Sequence, residues 1–270
     1  MQKIKRGLAG VGALALASLA VSAQAATLEG QYFFNNNFNT NVAGAPALTP
    51  VDPTGTSVFT TDTVYGNSRI VYNFNGNASP PSQQGGLSFD NSGGLLPSNS
   101  YSVDLVFKFF GGTNAWRRIL DVQDRQSDNG FYVDPSNNLD IFPVSGGGNA
   151  FTTGVYHNVA LTVATTGDVT AYLDGAQAFT TNTTVMNITN PANLVNLFLD
   201  NIVAGGQGEW SSGDIALADF FNGVLSAADV AALNQNPFGP APPPGVPEPA
   251  TLLLLSTALA GLGLTRRKHA

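Results

Sequence analysis

The 270-residue chain contains no cysteine. Disulfides and thiolate metal sites are therefore excluded, and packing and hydrogen bonds must hold the fold alone. Charge is scarce, with Asp, Glu, Lys and Arg supplying 11% of the residues. Cations are scarcest away from the termini. Between Ala26 and Val246 only Arg69, Lys108, Arg117, Arg118 and Arg125 occur, against 17 acidic residues, a net charge of −12 for that stretch. A body this acidic lacks the cationic patch that phosphate contacts need, which excludes nucleic acid and anionic lipid as charge-driven partners. Histidine is nearly missing too: the two are His157 and His269. A Ser-His-Asp triad needs a histidine base, and His157 falls on the apolar side of its strand, where a hydrogen-bonded core histidine is the usual role. The glutamates number three: Glu29, Glu209 and Glu248.

Both ends of the chain are apolar. Lys3, Lys5 and Arg6 precede the run Gly7 to Val21, and Ala23-Gln24-Ala25 is a small-x-small cleavage site, so residues 1–25 read as a signal peptide for signal peptidase. At the other end Pro247-Glu248-Pro249 leads into a hydrophobic helix expected over 250–265, followed by Arg266, Arg267 and Lys268. Terminal cations after an apolar run place that end on the cytoplasmic side. Its uncharged part, Ala250 to Leu264, is about 22 Å of helix against a hydrocarbon core of about 30 Å. Such a span suits a transient anchor.

This tail resembles the PEP-CTERM sorting signal of Gram-negative bacteria, in which triplet, helix and basic end occur in the same order. The resemblance implies recognition by an exosortase, removal of the tail (246–270) and delivery to the cell surface or extracellular matrix. Contact with the membrane would then be transient, through the helix alone. An ordinary C-terminal anchor is the alternative.

The body, 26–235, alternates apolar and polar residues. Tyr101, Val103, Leu105, Phe107 and Phe109 point one way, Val155, His157, Val159, Leu161 and Val163 form a second face, and Val169, Ala171 and Leu173 a third. Period-2 patterning of this kind marks strands. Turn punctuation at Thr166-Gly167-Asp168, Asp174-Gly175 and Gly146-Gly147-Gly148 separates them. Ser226 with Asp229 three residues on forms a capping box for one short helix. Residues 236–245, rich in proline and glycine, make a stiff linker. The expected fold is all-β, an antiparallel two-sheet jelly-roll sandwich.

Gly154-Val155-Tyr156-His157-Asn158-Val159-Ala160-Leu161-Thr162, followed by Val169-Thr170-Ala171-Tyr172-Leu173-Asp174-Gly175, resembles the signature of laminin-G-like, concanavalin A-like domains. Ile215 to Leu233 is similar to their last strand and closing helix, with Tyr156 where tryptophan is usual and Asp229 in place of glutamate. The resemblance implies the sandwich and no single activity, because fold does not fix function.

Sandwich glycosidases need two carboxylates about 5–9 Å apart, usually glutamates in a short motif, and no Glu-x-Asp-x-x-Glu strand is present. A non-catalytic role is expected. Asp200, Asn201 and Glu209 could donate oxygens to a calcium ion at a loop, and laminin-G-like domains often hold one at a sheet rim; a solvated polar loop is the alternative. Trp116 with Asn114 and Arg117, Tyr132 with Asp128 and Asn129, and Trp210 with Glu209 are candidate saccharide platforms, against the reading that each finishes the core. The expectation is an exported, exosortase-sorted surface or biofilm-matrix protein that binds polysaccharide. Adhesion to proteins or to itself is the alternative, and a divergent glycoside hydrolase a third.

Overall fold

The computed structural model describes residues 26–76, 83–111, 114–203 and 208–240. The signal peptide, linker residues 241–245 and the sorting tail with Pro247, Glu248, Pro249, Arg266 and Arg267 lie outside them. No helix among the described residues is long and apolar enough to cross a membrane.

The first half of the body contributes β1 (Thr27–Tyr32), β2 (Thr49–Val51), β3 (Val58–Val64), β4 (Asn67–Phe74), β5 (Gly86–Asp90), β6 (Tyr101–Phe109) and β7 (Arg117–Asp121). The second half contributes β8 (Gly130–Val133), β9 (Asn138–Phe142), β10 (Ser145–Ala150), β11 (His157–Val163) and β12 (Asp168–Leu173). It ends with β13 (Ala176–Asn182), β14 (Leu194–Leu197), β15 (Gly213–Asn222) and α1 (Ala227–Gln235). They form two antiparallel sheets. One runs β13-β12-β11-β6-β15-β4-β3, with β1 also paired to β15; the other runs β10-β9-β8-β7-β14-β5-β2. This is the expected sandwich.

Alternation builds the core. Tyr101, Val103, Leu105, Phe107 and Phe109 turn inward from β6 and are essentially sealed from water. Opposite sheets interlock through stacked rings: Phe74 on Phe198 at 4.1 Å between centroids, Phe89 on Phe220 at 4.4 Å. Each buried aromatic contributes about 1.5–3 kcal/mol. Val155 departs from its expected inward place. It is 48% exposed, because the chain is still in a turn at Gly154 and β11 begins only at His157. His157 is buried, its ring tilted against that of Phe151 at 4.5 Å between centroids.

The outward side of β6 is also dry. α1 lays Val230 and Leu233 on Ala160, Tyr172 and Phe221, covering part of the outer face. Ser102 there donates to the Gly223 carbonyl and accepts from the Leu225 amide. Next to it Asp104 and Asp219 face each other in register on β6 and β15, both fully buried. Asn158 donates to Asp104 Oδ1 (2.9 Å) and Gln31 to Asp219 Oδ2 (3.3 Å), while Asp104 Oδ2 and Asp219 Oδ1 accept no bond from any described donor. Burial pushes Asp104 up to about 7 and, with the Asp104 charge, holds Asp219 well above the carboxylate range. Two buried carboxyls in register cannot both ionise cheaply, so burial and mutual repulsion favour keeping a proton on the pair.

α1 starts where its cap dictates. Ser226 accepts the Asp229 amide and the Asp229 side chain accepts the Ser226 amide. Ser226→Ala should remove about 1 kcal/mol, lowering the melting temperature by about 2–4 °C in a calorimetric scan.

Candidate functional site

At one end of the sandwich a cationic side chain is buried among acids. Arg118 projects from β7 with no solvent exposure of its side chain. Its Nη1 lies 3.3 Å from Asp121 Oδ1 and its Nε 3.6 Å from Asp200 Oδ1. The guanidinium also donates to the Ser127 carbonyl and to the Tyr132 hydroxyl, which in turn donates to the Asp128 carbonyl. β14 ends at Leu197, and Phe198 takes a left-handed backbone (φ +64) that turns the chain toward Asp200. Asp124 and Arg125, on the facing loop, are left-handed as well (φ +52 and +59). Strained residues of this kind gather where surrounding structure imposes a geometry.

The loop after β14 brings Glu209 alongside. Its carbonyl accepts the Arg118 amide, and its own amide donates to Asp200 Oδ2 at 3.1 Å. Asp128, Asp200 and Glu209 each offer a carboxylate oxygen, and the three oxygens lie within 4.8 Å of one another. Ligands about 2.4 Å from one cation lie no more than about 4.8 Å apart, so the spacing fits a single calcium-sized ion. Glu209 Oε2 is buried with no partner among the described residues. Burial pushes the Glu209 carboxyl up to about 8, and Asp128 and Asp200 push it the same way against Arg118. Burial raises Asp200 too, opposed by Arg118 and by the Glu209 and Asn201 amides. A site whose acids resist ionising together is one that a divalent cation would relieve.

Gly208 and Trp210, the chain neighbours of Glu209, line a cleft of about 450 Å³ together with Phe110, Gly111, Ser211 and Ser212. Phe110 is 47% exposed and Trp210 is half-buried, so the cleft combines aromatic surface with hydroxyls.

A laminin-G-type model described as the concanavalin A-like lectin/glucanases superfamily matches residues 81–231, more than half of the chain. The chain belongs to this superfamily. A second model, the PEP-CTERM protein-sorting motif, matches residues 245–268 and implies export through a membrane-anchored intermediate. No curated protein matches. Among solved structures, domain 4 of AbnA, an extracellular arabinanase from Geobacillus stearothermophilus in complex with arabinotriose, is 20% identical with a TM-score of 0.59. That match covers 78% of this chain and all of that one. The binding domain of botulinum neurotoxin DC in complex with rat synaptotagmin II is 11% identical at a TM-score of 0.54, over 78% of this chain and 51% of that one. A botulinum neurotoxin type C structure concerned with ganglioside interaction is 12% identical at 0.53, with the same coverages. These likenesses show the fold.

The concanavalin A-like sandwich sorts the residues singled out from the sequence. Asp200 and Glu209 come together, and the third carboxylate is Asp128. Asn201 is buried with its amide nitrogen donating to Asp128 Oδ1 at 3.0 Å, so it orients a candidate ligand. Tyr132 is no platform. It is 1% exposed, its hydroxyl is engaged by Arg118, and its ring meets Trp116 edge-on at 5.6 Å. Arg117 is likewise buried, bonded to Thr153 and Asn137. Trp116 is half-buried and packs on Tyr132 and Phe142. Trp210 lines the cleft. His157 Nε2 accepts the Thr152 amide, so Nδ1 carries the proton toward Asp174 Oδ2 and no lone pair is left for a nucleophile's proton. The sequence offers Asp128 only as a saccharide-contact partner of Tyr132 and carries no signal for it as a cation ligand.

Proposed function

We propose that this protein is an exported, exosortase-processed lectin of the cell surface or extracellular matrix that binds polysaccharide without cleaving it. The observation that carries this reading is the rim cleft, with the Phe110 and Trp210 rings beside the Asp128–Asp200–Glu209 cluster. Sugar rings dock on aromatic faces through their C–H groups, the part that Phe110 and Trp210 can play here. A calcium ion held by the three carboxylates would tie the β7–β8 loop to the loop after β14 and present a fixed positive centre at the cleft's edge. Signal peptidase and exosortase are the processing partners that the two terminal signals imply.

A second reading, glycoside hydrolysis, draws on the close carboxylates and the raised Glu209, since a retaining enzyme pairs an acid with a nucleophile about 5 Å away. Asp200 does not suit the nucleophile's role. It is fully buried and both its oxygens accept backbone amides, so no anomeric carbon can approach it.

The test is retention of the protein on the producer's own exopolysaccharide, with Trp210→Ala as the variant. Retention of the parent, weakened about tenfold or more by the substitution, is expected. Equal retention of parent and variant would remove the rim from the reading, and reducing-sugar release would favour hydrolysis. Cross-linked oligomers of the protein with no polysaccharide retention would favour adhesion.

A further inference from the structure

A larger cleft, of about 610 Å³, lies away from the carboxylate cluster on the outer side of the other sheet. It is bounded by the β3–β4 turn, the start of β11, Asp174 and the segment Asn234 to Phe238 that follows α1. The turn is the first sign that this cleft has a use. Val64 pairs with Asn67, leaving a two-residue loop, Tyr65-Gly66, with both residues left-handed (φ +48 and +79). Hairpin turns of this geometry take Asn-Gly or Asp-Gly, because short polar side chains tolerate the left-handed region and bulky ones do not. Here a tyrosine occupies the unfavourable place. Its side chain lines the cleft and is 44% exposed, and among the described residues its ring has no aromatic partner and its hydroxyl no hydrogen bond. A strained, exposed aromatic at the mouth of a cavity is retained for something outside the fold.

The same cleft holds a cation. Arg69, on β4, holds its guanidinium 3.4 Å above the Phe238 ring centroid, makes no ion pair among the described residues, and leaves Nε buried without a partner. Stacking fixes the guanidinium plane while leaving its edge for a planar anion. The segment that carries Phe238 is tied at its other end, where Asn234 donates to the Asp174 carbonyl at 3.0 Å. Asp174 is itself bonded to His157. Cation and carboxylate thus stand at opposite ends of that segment, with side-chain amides between.

We propose that this cleft is a second saccharide site, selective for sugars that carry a carboxylate: the Tyr65 ring stacks on the sugar face and the Arg69 guanidinium pairs its carboxylate. The choice of a saccharide as ligand rests on the lectin reading above; the site does not. The body's negative charge opposes an acidic chain at long range, but at physiological salt this is screened beyond about 8 Å, and contact with Arg69 decides.

The experiment is titration calorimetry of the full-length chain with trisaccharides of galacturonic, glucuronic and mannuronic acid, and with the neutral galactose trisaccharide. At least one acidic probe should bind more tightly than the neutral one, and Arg69→Met should abolish that preference. Tyr65→Asn, which restores the favoured turn sequence, should weaken acidic binding tenfold or more while the melting temperature holds or rises. In Trp210→Ala, which removes the rim platform, the binding that remains should still prefer the acidic over the neutral probes. Equal affinity for neutral and acidic probes, binding of none of the acids, or a melting temperature lowered by Tyr65→Asn would overturn the proposal. Neutral-sugar binding lost in Trp210→Ala and kept in Tyr65→Asn reports on the rim site alone, so the two readings can fail separately.

Discussion

Asp219→Asn should make the protein more stable than the parent at pH 8, read as a higher melting temperature in a calorimetric scan. Asp219 and Asp104 sit in register, fully buried, and burial with the Asp104 charge keeps Asp219 protonated far above the ordinary range. In the unfolded chain the same carboxyl ionises near 3.8. Between the two values the native state binds the extra proton, so stability falls as pH rises, by about 1.4 kcal/mol per pH unit for each such group. Below the unfolded value both states are protonated and the penalty vanishes. Asparagine removes the titration, keeps an oxygen for Gln31 and gives Asp104 Oδ2 an amide donor, a bond it does not accept from any described residue. The gain should therefore shrink toward zero as pH approaches 4. A variant that is less stable at pH 8, or whose gain is the same at pH 4 and pH 8, would show that the pair is not a shared-proton site.

Calcium should raise the melting temperature of the parent protein. Saturation at a hundred times the dissociation constant stabilises by about 2.7 kcal/mol, or about 5–10 °C for a body of this size. Asp200→Ala should erase the rise, although it also strips Arg118 of a partner and could weaken the fold outright. Asp128→Asn is the gentler variant, because that side chain is 27% exposed and its removal leaves Arg118 bonded to Asp121, Ser127 and Tyr132. A calcium-dependent rise that survives both substitutions would sink the assignment. Magnesium, which demands a tighter octahedral shell, should stabilise much less.

What the sequence revealed follows the physics each feature obeys. Strands with one apolar face announce themselves by alternation, as with Tyr101 to Phe109 and Val169 to Leu173, and the capping box at Ser226 is a local hydrogen-bond pattern readable from four residues. Neither depends on distant parts of the chain. The sites do. Asp128, Asp200 and Glu209 are 72 and 9 residues apart, and only the pairing of β7 with both β8 and β14 brings them together. Tyr132 reads as a loop aromatic, yet the buried guanidinium of Arg118 draws its hydroxyl inward. Alternation could not reveal that α1 and its neighbours seal the polar side of β6, so Asp104 reads as solvent-facing when it is dry. Tyr65-Gly66 was visible as a dipeptide, but its strain appears only once the two-residue loop between β3 and β4 is fixed.

The pairing of β1 with β15 bears on how the chain is made. Thr27 lies opposite Asn222, so the first strand of the body waits for almost the last one. Closing a contact of such sequence separation is slow, since the chain entropy is lost before the strand hydrogen bonds are gained. In a polypeptide exported with its N-terminus leading, β1 has no native partner until β15 has emerged. Completion of the fold is thereby coupled to the emergence of β15, and a chain arrested earlier would present an unpaired first strand outside the membrane.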